Sequence, residues 1–547
     1  MTQLQKRWLY ALWLLFIAAF ALLHALHLSA DFPNHTPWFC DWAKYTDEGW
    51  YGNAGIRAHL FPSWYIPGDF TPAPVAPVLP FLEWLLFFFT GVSVEAARGL
   101  AVGFFFLNLL LSYLLLRTRG PRWMALLGLT LMVTSPFLYC FSRLAILEPV
   151  QIAFTLAALN LAVRLPRMRR PVAVSVAIGL LFTLMLLTKT TAVFLLPALG
   201  WAMILPLWKS RKLAIRCALA AACTFAAAFG LWMALVVRFG LMGDFNYFFF
   251  LIHEYPAPKG LYSRVVSFWW AFHGGLWVDH LLIPLAGLTL VGVLLASAVP
   301  VWRRLRARLK DQSFADQYPW ARKLLLDPVF GASVLAIAGN ILFIAVHNNN
   351  QPRYLAVTAF FCFISVALGS AAMLGENSVW ARRIGSAYLA VLVLAASFNG
   401  LQTLNYAAHP EYTYIDAARR LTQYIDAHPN GNRLLLTVSS DQITLFTHLP
   451  TLCDELSMQD LAAKAARYQP GWYAAWNELE PGRLADLHQH FSLEQVASFR
   501  ALDDPDRNLL VLFKLHPLPN GQERSPGDQN LQVPLPDDKI DIDIDVE

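Results

Sequence analysis

Repeated runs of about 20 apolar residues constrain this chain more than any other feature of its sequence. A helix of that length crosses the hydrocarbon core of a bilayer, and apolar side chains make up 57% of the 547 residues. The first run, residues 8–28, has no small-residue cleavage site after it, so we interpret it as a retained span. The sequence therefore predicts a polytopic α-helical membrane protein.

Eleven spans are predicted from these runs. They are residues 8–28, 95–117, 122–140, 145–164, 171–188, 190–208, 213–237, 281–301, 329–347, 352–374 and 381–400. A further apolar run, residues 75–91, is interrupted by prolines and carries Glu83. A crossing there would place the basic residues 117–122 on the outer side, so we interpret it as an interfacial or re-entrant helix.

The charges are distributed unevenly along the chain. Residues 1–400 hold 31 Lys and Arg against 15 Asp and Glu, whereas residues 401–547 hold 11 against 22. The basic residues follow alternate spans, which is the pattern of cytoplasmic loops and not of a nucleic-acid surface. This pattern predicts a cytoplasmic N-terminus, a chain that is extracytoplasmic after residue 400, and no nucleic-acid partner.

The region after the last span has the pattern of a small soluble α/β domain. Helices are predicted at 413–428 and 457–467, and strands at 433–438, 492–501 and 508–514. The end is proline-rich and then acidic, which predicts disorder. We therefore expect a transmembrane domain at 1–400, an extracytoplasmic α/β domain at 401–516 and a disordered tail at 517–547.

An acidic pair, Asp47-Glu48, occupies the polar loop after the first span. In a helix over 46–59, Asp47 and Tyr51 would share a face, with Arg57 close by. One interpretation makes Asp47 a general base, with Glu48 orienting it or binding a cation. The alternative is a solvated helix N-terminus, where acidic residues suit the helix dipole.

Cationic residues recur in three other links on the predicted outer face. Arg143 lies near Glu148, Lys189 lies between two spans, and Arg353 ends a polar hairpin at 347–354. Each could bind a phosphate group. The alternatives are an Arg143 that reaches lipid headgroups, a Lys189 paired with Glu148 or Asp47, and a plain polar turn at Arg353.

Two further observations limit the chemistry. The sequence has no Walker loop and no GxGxxG after a strand, so a soluble nucleotide site is not predicted. The loop 238–280 is rich in Trp, Tyr and His, which fits sugar stacking but is explained as well by an interfacial aromatic belt. A carboxylate with cations around it suits transfer of a sugar from a phosphate, because a neutralised phosphate is a good leaving group.

At these residues the chain resembles the C-type, membrane-integral glycosyltransferases, and most closely their protein O-mannosyltransferase and lipid A aminoarabinose transferase branch. The matching segments, in chain order, are Asp47-Glu48, the proline-rich 72–91, Ala96-Ala97-Arg98, Ser142-Arg143 with Glu148, Lys189, and Arg353-Tyr354-Leu355. The resemblance covers most of residues 1–400. One departure is the absence of the proline that usually follows the Arg-Tyr-Leu-Leu motif.

The resemblance implies an inverting transferase that moves one hexosyl or pentosyl group from a polyprenyl-phosphate donor. The acceptor would be a hydroxyl of a lipid, glycan or protein. It implies Asp47 as the catalytic base, assisted by Glu48, and Arg143, Lys189 and Arg353 as ligands of the donor phosphate. Tyr51, Arg57 and Glu148 would support them. No particular cofactor is predicted, although the acidic pair could hold a divalent cation.

We expect a bacterial inner-membrane protein with its site on the periplasmic face, in contact with membrane lipids. A transporter or lipid flippase is the main alternative, although such proteins tend to carry mid-membrane charges and repeated halves that are not evident here. A non-catalytic assembly or receptor protein is a third. For an enzyme, deletion of residues 401–547 should leave the membrane site in place.

Overall fold

A computed structural model describes residues 2–38, 41–251, 263–266, 269, 286–292, 323–347, 351–375, 379–456, 459–477, 481–502, 504 and 507–518. The internal contacts divide the chain into two compact units. Unit 1 contains residues 1–28, 74–79 and 97–409, and unit 2 contains residues 29–73, 80–96 and 410–547. Two segments that precede residue 400 are therefore part of unit 2. The linear domain boundaries at 400 and 516 stay predictions.

The helices of the described residues are named here in chain order. They are α1 (Gln3–Leu23), α2 (Asp47–Leu60), α3 (Val78–Thr90), α4 (Val94–Arg117), α5 (Arg122–Val133), α6 (Pro136–Phe141), α7 (Leu147–Ala162), α8 (Pro171–Thr188), α9 (Leu196–Ile204), α10 (Arg211–Arg238), α11 (Met242–Asn246), α12 (Pro328–His347), α13 (Ala356–Leu374), α14 (Val379–Ala408), α15 (Thr413–Ala427), α16 (Ser440–Thr447), α17 (Leu461–Tyr468) and α18 (Pro481–His488).

Unit 1 is an assembly of apolar helices, which confirms a multi-pass membrane protein. Among the described residues, eight helical segments are long and apolar enough to cross a bilayer: α1, α4, α8, 190–207, α10, α12, 352–374 and the segment that begins at Ala381. Two predicted spans correspond to shorter apolar helices. The span 122–140 is divided into α5 and α6, because Ser135 caps a new helix that begins at Pro136. The span 145–164 is shortened because α7 begins only after its N-cap residue, Ile146. The predicted span 281–301 lies mostly outside the described residues.

Helix α3 occupies the proline-containing run for which the sequence predicted an interfacial or re-entrant helix. It has 13 residues. At 1.5 Å per residue such a helix is about 20 Å long, which is short of the ~30 Å hydrocarbon core. Its length is therefore that of a helix that does not cross a bilayer.

Unit 2 contains a five-stranded mixed sheet. Its strands are β1 (Leu435–Thr437), β2 (Thr451–Leu452), β3 (Trp472–Trp476), β4 (Phe491–Arg500) and β5 (Leu509–Pro517), in the order β2-β1-β3-β5-β4. β1 is parallel to β2 and β3, with Leu435 opposite Trp472, and β5 is antiparallel to β3 and β4. The predicted soluble α/β domain is confirmed, but the sequence missed β2, β3, α16 and α18.

The long loop after α1 is tied to the C-terminal part within unit 2. Helix α15 buries one side of its surface, including Leu421 and Ile425, at the spacing of a helical repeat. Its first free N–H groups are capped by Asp31, whose carboxylate accepts from Tyr414 N at 2.7 Å and Ile415 N at 3.3 Å. Asp31, a loop residue, thus caps the N-terminus of α15, which begins almost 400 positions later in the chain.

Several predictions fall on residues that the structure does not describe. They are most of the aromatic loop 238–280, Asn348–Asn350 of the polar hairpin, and the tail from residue 519.

Candidate functional site

The acidic pair Asp47-Glu48 forms the first turn of α2, as the sequence predicted for a helix in this segment. Both side chains are buried, with exposed fractions of 1% and 0%. The preceding residue, Thr46, makes no side-chain cap bond to the helix, although its hydroxyl lies 3.2 Å from Oδ1 of Asp47. The two carboxylates are therefore not the solvated acids of the alternative interpretation, although they do lie at the helix end that favours negative charge.

Helix α2 contacts α16 through Gly49. The amide N–H of Gly49 donates to Oε1 of Gln442 at 3.0 Å, and Nε2 of Gln442 donates to Oε2 of Glu48 at 2.8 Å. A Cβ at Gly49 would lie 1.9 Å from the backbone N of Gln442, so only glycine permits this approach. A residue that sequence analysis did not single out thus holds one of the two predicted catalytic acids.

A second face of α2 contacts α3 through Gly52 and Gly55. A Cβ at Gly52 would lie 2.4 Å from a carboxylate oxygen of Glu83, and one at Gly55 would lie 2.5 Å from the carbonyl oxygen of Pro80. Glu83 is completely buried, and neither of its carboxylate oxygens has a hydrogen-bond partner among the described residues. Burial, together with the charge of Glu48, raises the pKa of the Glu83 carboxyl well above its ordinary value.

Tyr51 lies one turn after Asp47 on the remaining face of α2. It is half-buried, as is Ala54, and Ala58 further along the same face is exposed. Residues four apart on a helix are neighbours, so Tyr51 is placed as the sequence predicted. This face is the most open one of α2.

Arg57 belongs to a buried ionic network and not to the neighbourhood of Asp47. Its guanidinium donates to both carboxylate oxygens of Asp441 at 2.7 Å and to Asp69 at 2.7 Å. Burial alone would lower the pKa of Arg57, but the two carboxylates raise it above its ordinary value. Ten residues of helix separate Arg57 from Asp47 by about 15 Å along the axis, so its support is structural.

The network continues to Lys464 of α17. Its ammonium group lies 3.0 Å from Asp69 and also donates to the carbonyl oxygen of Cys453. Burial opposes ionisation of Asp69, but Arg57 and Lys464 together hold its pKa below the ordinary value. Two cations and two carboxylates thus neutralise one another inside unit 2.

The segment just before Asp47 is fixed in the same unit. Lys44 forms a buried ion pair with Asp504 at 2.8 Å. The ring of Tyr45 lies edge-on to Trp476, at 5.7 Å between centroids, and the guanidinium of Arg507 lies over Tyr45. Deletion of residues 401–547 would remove these partners as well as Gln442. Contrary to the expectation from sequence, it would not leave the Asp47 segment intact.

In unit 1 the structure brings together three of the predicted residues that are distant in sequence. Lys189 forms an ion pair with Glu148, which is the alternative interpretation that the sequence left open. The Lys189 ammonium lies 4.2 Å from the ring centroid of Tyr354, and Arg353 lies over the same ring at 4.8 Å. Two cations therefore converge on one aromatic ring, and one of them, Lys189, is paired with the Glu148 carboxylate.

Asn340 of α12 helps to position this group. Its side-chain amide donates to the carbonyl oxygen of Tyr354 at 2.7 Å and to the hydroxyl of Thr358 at 2.9 Å. These bonds hold the 3₁₀ turn Pro352–Leu355, and Arg353 in it is 6% exposed. A polar residue inside an apolar helix was the available sequence signal for this contact.

Arg143 contacts the segment that follows α1. It donates to the carbonyl oxygen of Leu26 at 2.6 Å, to that of His27, and to the hydroxyl of Tyr139, over whose ring it also lies. The side chain is 9% exposed, so it does not simply reach outward to headgroups. Its contacts order the chain at the end of the first span, and its role as a phosphate ligand stays a prediction.

Within the described ranges, no group of three or more His, Cys, Asp or Glu side chains is arranged to hold a metal ion. A divalent cation at the acidic pair therefore stays a prediction.

A scan against protein-family models and a search of curated protein sequences found no match. The search of solved structures found ArnT from Cupriavidus metallidurans in its apo state, at 14% identity and a TM-score of 0.55 over 92% of this chain and 98% of that one. The same ArnT, solved with undecaprenyl phosphate bound, matches at 13% identity and a TM-score of 0.54 over 91% and 98% of the two chains. The resemblance read from the sequence is confirmed as a likeness of fold, that of the C-type membrane glycosyltransferases.

Proposed function

We propose that this protein transfers one sugar from a polyprenyl-phosphate carrier to a hydroxyl group of a lipid, glycan or protein. The observation that carries the proposal is the buried Asp47-Glu48 pair at the start of α2, in a chain with the fold of ArnT. An ArnT with undecaprenyl phosphate bound supports a lipid-linked phosphate as the donor class. We place the protein in a bacterial inner membrane with its acidic pair on the periplasmic side.

In this proposal Asp47 is the general base. Its carboxylate takes the proton of the acceptor hydroxyl while that oxygen attacks the anomeric carbon. The bond between the anomeric carbon and the phosphate oxygen breaks, and the bonding electrons leave with the polyprenyl phosphate. The products are a glycoside, inverted at the anomeric carbon, and the carrier phosphate. Glu48 supports Asp47 and is held by Gln442.

The leaving phosphate gains negative charge, so its stabilisation requires cations or hydrogen-bond donors. We assign this role to Lys189 and Arg353, which lie over the ring of Tyr354, and to Arg143. The Glu148 carboxylate, paired with Lys189, would keep the ammonium in place until a phosphate binds. No strong general acid is needed when the charge of the phosphate is neutralised in this way.

The test begins with mass spectrometry of cell-envelope glycans, glycolipids and glycoproteins from cells with and without the protein. A sugar lost in its absence identifies the product. The purified full-length protein is then assayed with a panel of synthetic undecaprenyl-phosphate hexoses and pentoses. We expect Asp47→Asn to lower turnover by about 10²–10⁴-fold without changing folding.

The matched control is Asp416→Asn, because Asp416 is also an acid in the first turn of a unit 2 helix but is exposed. It should retain wild-type turnover. Near-normal turnover of the Asp47 variant would rule out the base assignment. Movement of a labelled polyprenyl phosphate across proteoliposomes, with no glycoside formed from any donor, would favour a flippase instead.

A further inference from the structure

Gln442 contacts two consecutive residues at the start of α2 with both ends of its side-chain amide. The N–H of Gly49 can only donate, so the amide oxygen of Gln442 must face it. The amide nitrogen then faces the Glu48 carboxylate at 2.8 Å, where it can only donate. The orientation of the amide is thus fixed, because one partner can only donate a hydrogen bond and the other can only accept one. The Gln442 side chain is completely buried.

This contact replaces a missing helix cap. The first N–H groups of a helix lack intrahelical partners, and Thr46 supplies no side-chain acceptor to α2. The side-chain oxygen of Gln442 is the acceptor for the N–H of Gly49, and it comes from α16, which begins almost 400 residues later. The start of the helix that carries Asp47 is therefore ordered by a residue of the C-terminal part of unit 2.

The groups around Glu48 explain why the residue at position 442 should be neutral. Together with burial, the negative charge of Glu48 contributes to raising the pKa of two neighbours, the Glu83 carboxyl of α3 and the Tyr414 hydroxyl of α15. The nearby Asp441 carboxylate is already paired with Arg57. A carboxylate at position 442 would repel Glu48, and an ammonium or guanidinium there could not accept from an N–H. A glutamine amide donates to Glu48 and accepts from the helix at once, and it does so at every pH because it is neutral.

We propose that Gln442 is a positioning residue for the acidic pair, so that the C-terminal segment takes part in catalysis through Glu48 and the first turn of α2. The inference rests on the proposed sugar transfer. It predicts that loss of the amide lowers the rate of the chemical step and leaves donor binding unchanged, because Gln442 contacts Glu48 and Gly49, to which the proposed function gives no role in binding the donor phosphate.

The experiment compares Gln442→Met and Gln442→Glu with Gln495→Met and Gln495→Glu, since Gln495 is exposed on β4. Full-length variants are assayed with the undecaprenyl-phosphate sugar that the wild type uses. For Gln442→Met we expect kcat to fall by about 10²-fold, the loss typical of a misplaced catalytic group, with the donor KM within about twofold. The Gln495 variants should match the wild type.

Gln442→Glu adds a pH signature. Two neighbouring buried carboxyls cannot both ionise easily, so at low pH they share a proton that restores a donor toward Glu48. We therefore compare the kcat of this variant with that of the wild type at the same pH. The ratio of the two should rise at least about tenfold as the pH is lowered from 8.5 to 5.5. A flat ratio, or a kcat of Gln442→Met within about twofold of wild type, would overturn the proposal.

Hydrogen exchange separates this inference from the proposed function. Amides 47–51 of Gln442→Met should exchange faster than in the wild type, while those of β3 and β5 stay protected. Faster exchange without transfer from any donor in the wild type would mean that the sugar-transfer proposal fails and the contact is structural only. Unchanged exchange at 47–51 would refute the positioning role directly.

Discussion

Arg57 and Asp441 form a bidentate ion pair that is almost completely buried within unit 2. Nε and one terminal nitrogen of Arg57 each lie 2.7 Å from a carboxylate oxygen of Asp441, and the two side chains are 1% and 2% exposed. The pair joins α2, which carries the acidic pair, to α16, which carries Gln442. The pair holds α2 against α16, whereas the cations of unit 1 are proposed to bind the donor phosphate.

Removal of the Arg57 charge should destabilise the protein strongly. Arg57→Met leaves Asp441 and Asp69 with a single compensating cation, Lys464, and breaking a buried pair in this way costs about 3–5 kcal/mol. The matched control is Arg433→Met, because Arg433 forms the same kind of pair with Asp426 but both side chains are about half exposed.

The control should cost about 0–1 kcal/mol, since exposed ion pairs contribute little. Chemical unfolding of the full-length protein in detergent, followed by tryptophan fluorescence, gives both free energies of unfolding. Equal losses in the two variants would show that burial adds nothing to the Arg57 pair.

Gly49 should tolerate no side chain. In Gly49→Ala the new Cβ would lie 1.9 Å from the N of Gln442 and 2.2 Å from the carbonyl carbon of Asp441, so backbone has to move. We expect a loss of more than about 3 kcal/mol, at the upper end of overpacking effects. Gly482→Ala is the control, because no described heavy atom outside its chain neighbours and the nearby backbone of its own helix lies within 4 Å of the added Cβ.

The control should gain about 0.5–1 kcal/mol from reduced backbone entropy of the unfolded chain. Thermal unfolding of the two variants, measured side by side, checks the opposite signs. A Gly49→Ala protein as stable as wild type would mean that α2 and α16 do not approach this closely.

Glu83 should give the protein a pH-dependent stability. Its folded pKa lies well above the unfolded value, because of burial and the charge of Glu48, so folding favours the protonated form. The contribution to stability is then complete below the unfolded pKa and is lost as the pH rises toward the folded pKa. Glu83→Gln, which is neutral at every pH, should remove this slope.

At pH 7–8 the Glu83→Gln protein should therefore be more stable than wild type, with the difference vanishing near pH 4. Melting temperatures measured from pH 4 to pH 8 test the sign. Glu494→Gln, an exposed position on β4, should keep the wild-type slope. A Glu83→Gln protein that is less stable at pH 8 would show that the ionised carboxylate is needed.

Lys189 can be tested apart from its ion pair. Lys189→Met leaves Glu148 as an unpaired buried charge and should destabilise, whereas Lys189→Met with Glu148→Gln should recover most of that loss. Both proteins should bind undecaprenyl phosphate about 10–100-fold more weakly, which corresponds to one lost charge-assisted hydrogen bond.

Equilibrium binding of undecaprenyl phosphate to the purified variants measures this effect, with Glu148→Gln alone as the control. Wild-type affinity in the double variant would assign Lys189 to the ion pair alone.

Sequence patterns were sufficient for the features that depend on local periodicity. The apolar runs predicted most helices of unit 1, and the acidic pair was correctly placed at the start of a helix with Tyr51 one turn away. The strands around 435 and 511 were also predicted from the sequence. These features are local because a helix satisfies its own backbone hydrogen bonds, and both helices and strands show their buried face in the order of their residues.

Tertiary structure alone decided which residues surround the acidic pair. Nothing in the sequence near Gln442, Glu83 or Asp441 links them to Asp47-Glu48, because they come from α16 and α3 and not from the same loop. Arg57, predicted as support for the acidic pair, lies in a buried ionic network with Asp441 and Asp69, and these partners were not evident from the sequence. The sequence by itself determined a membrane protein with an acidic helix start, since hydrophobicity and helical spacing are local. The partners of that helix required the fold, since burial, ion pairing and close backbone approach depend on segments hundreds of residues apart.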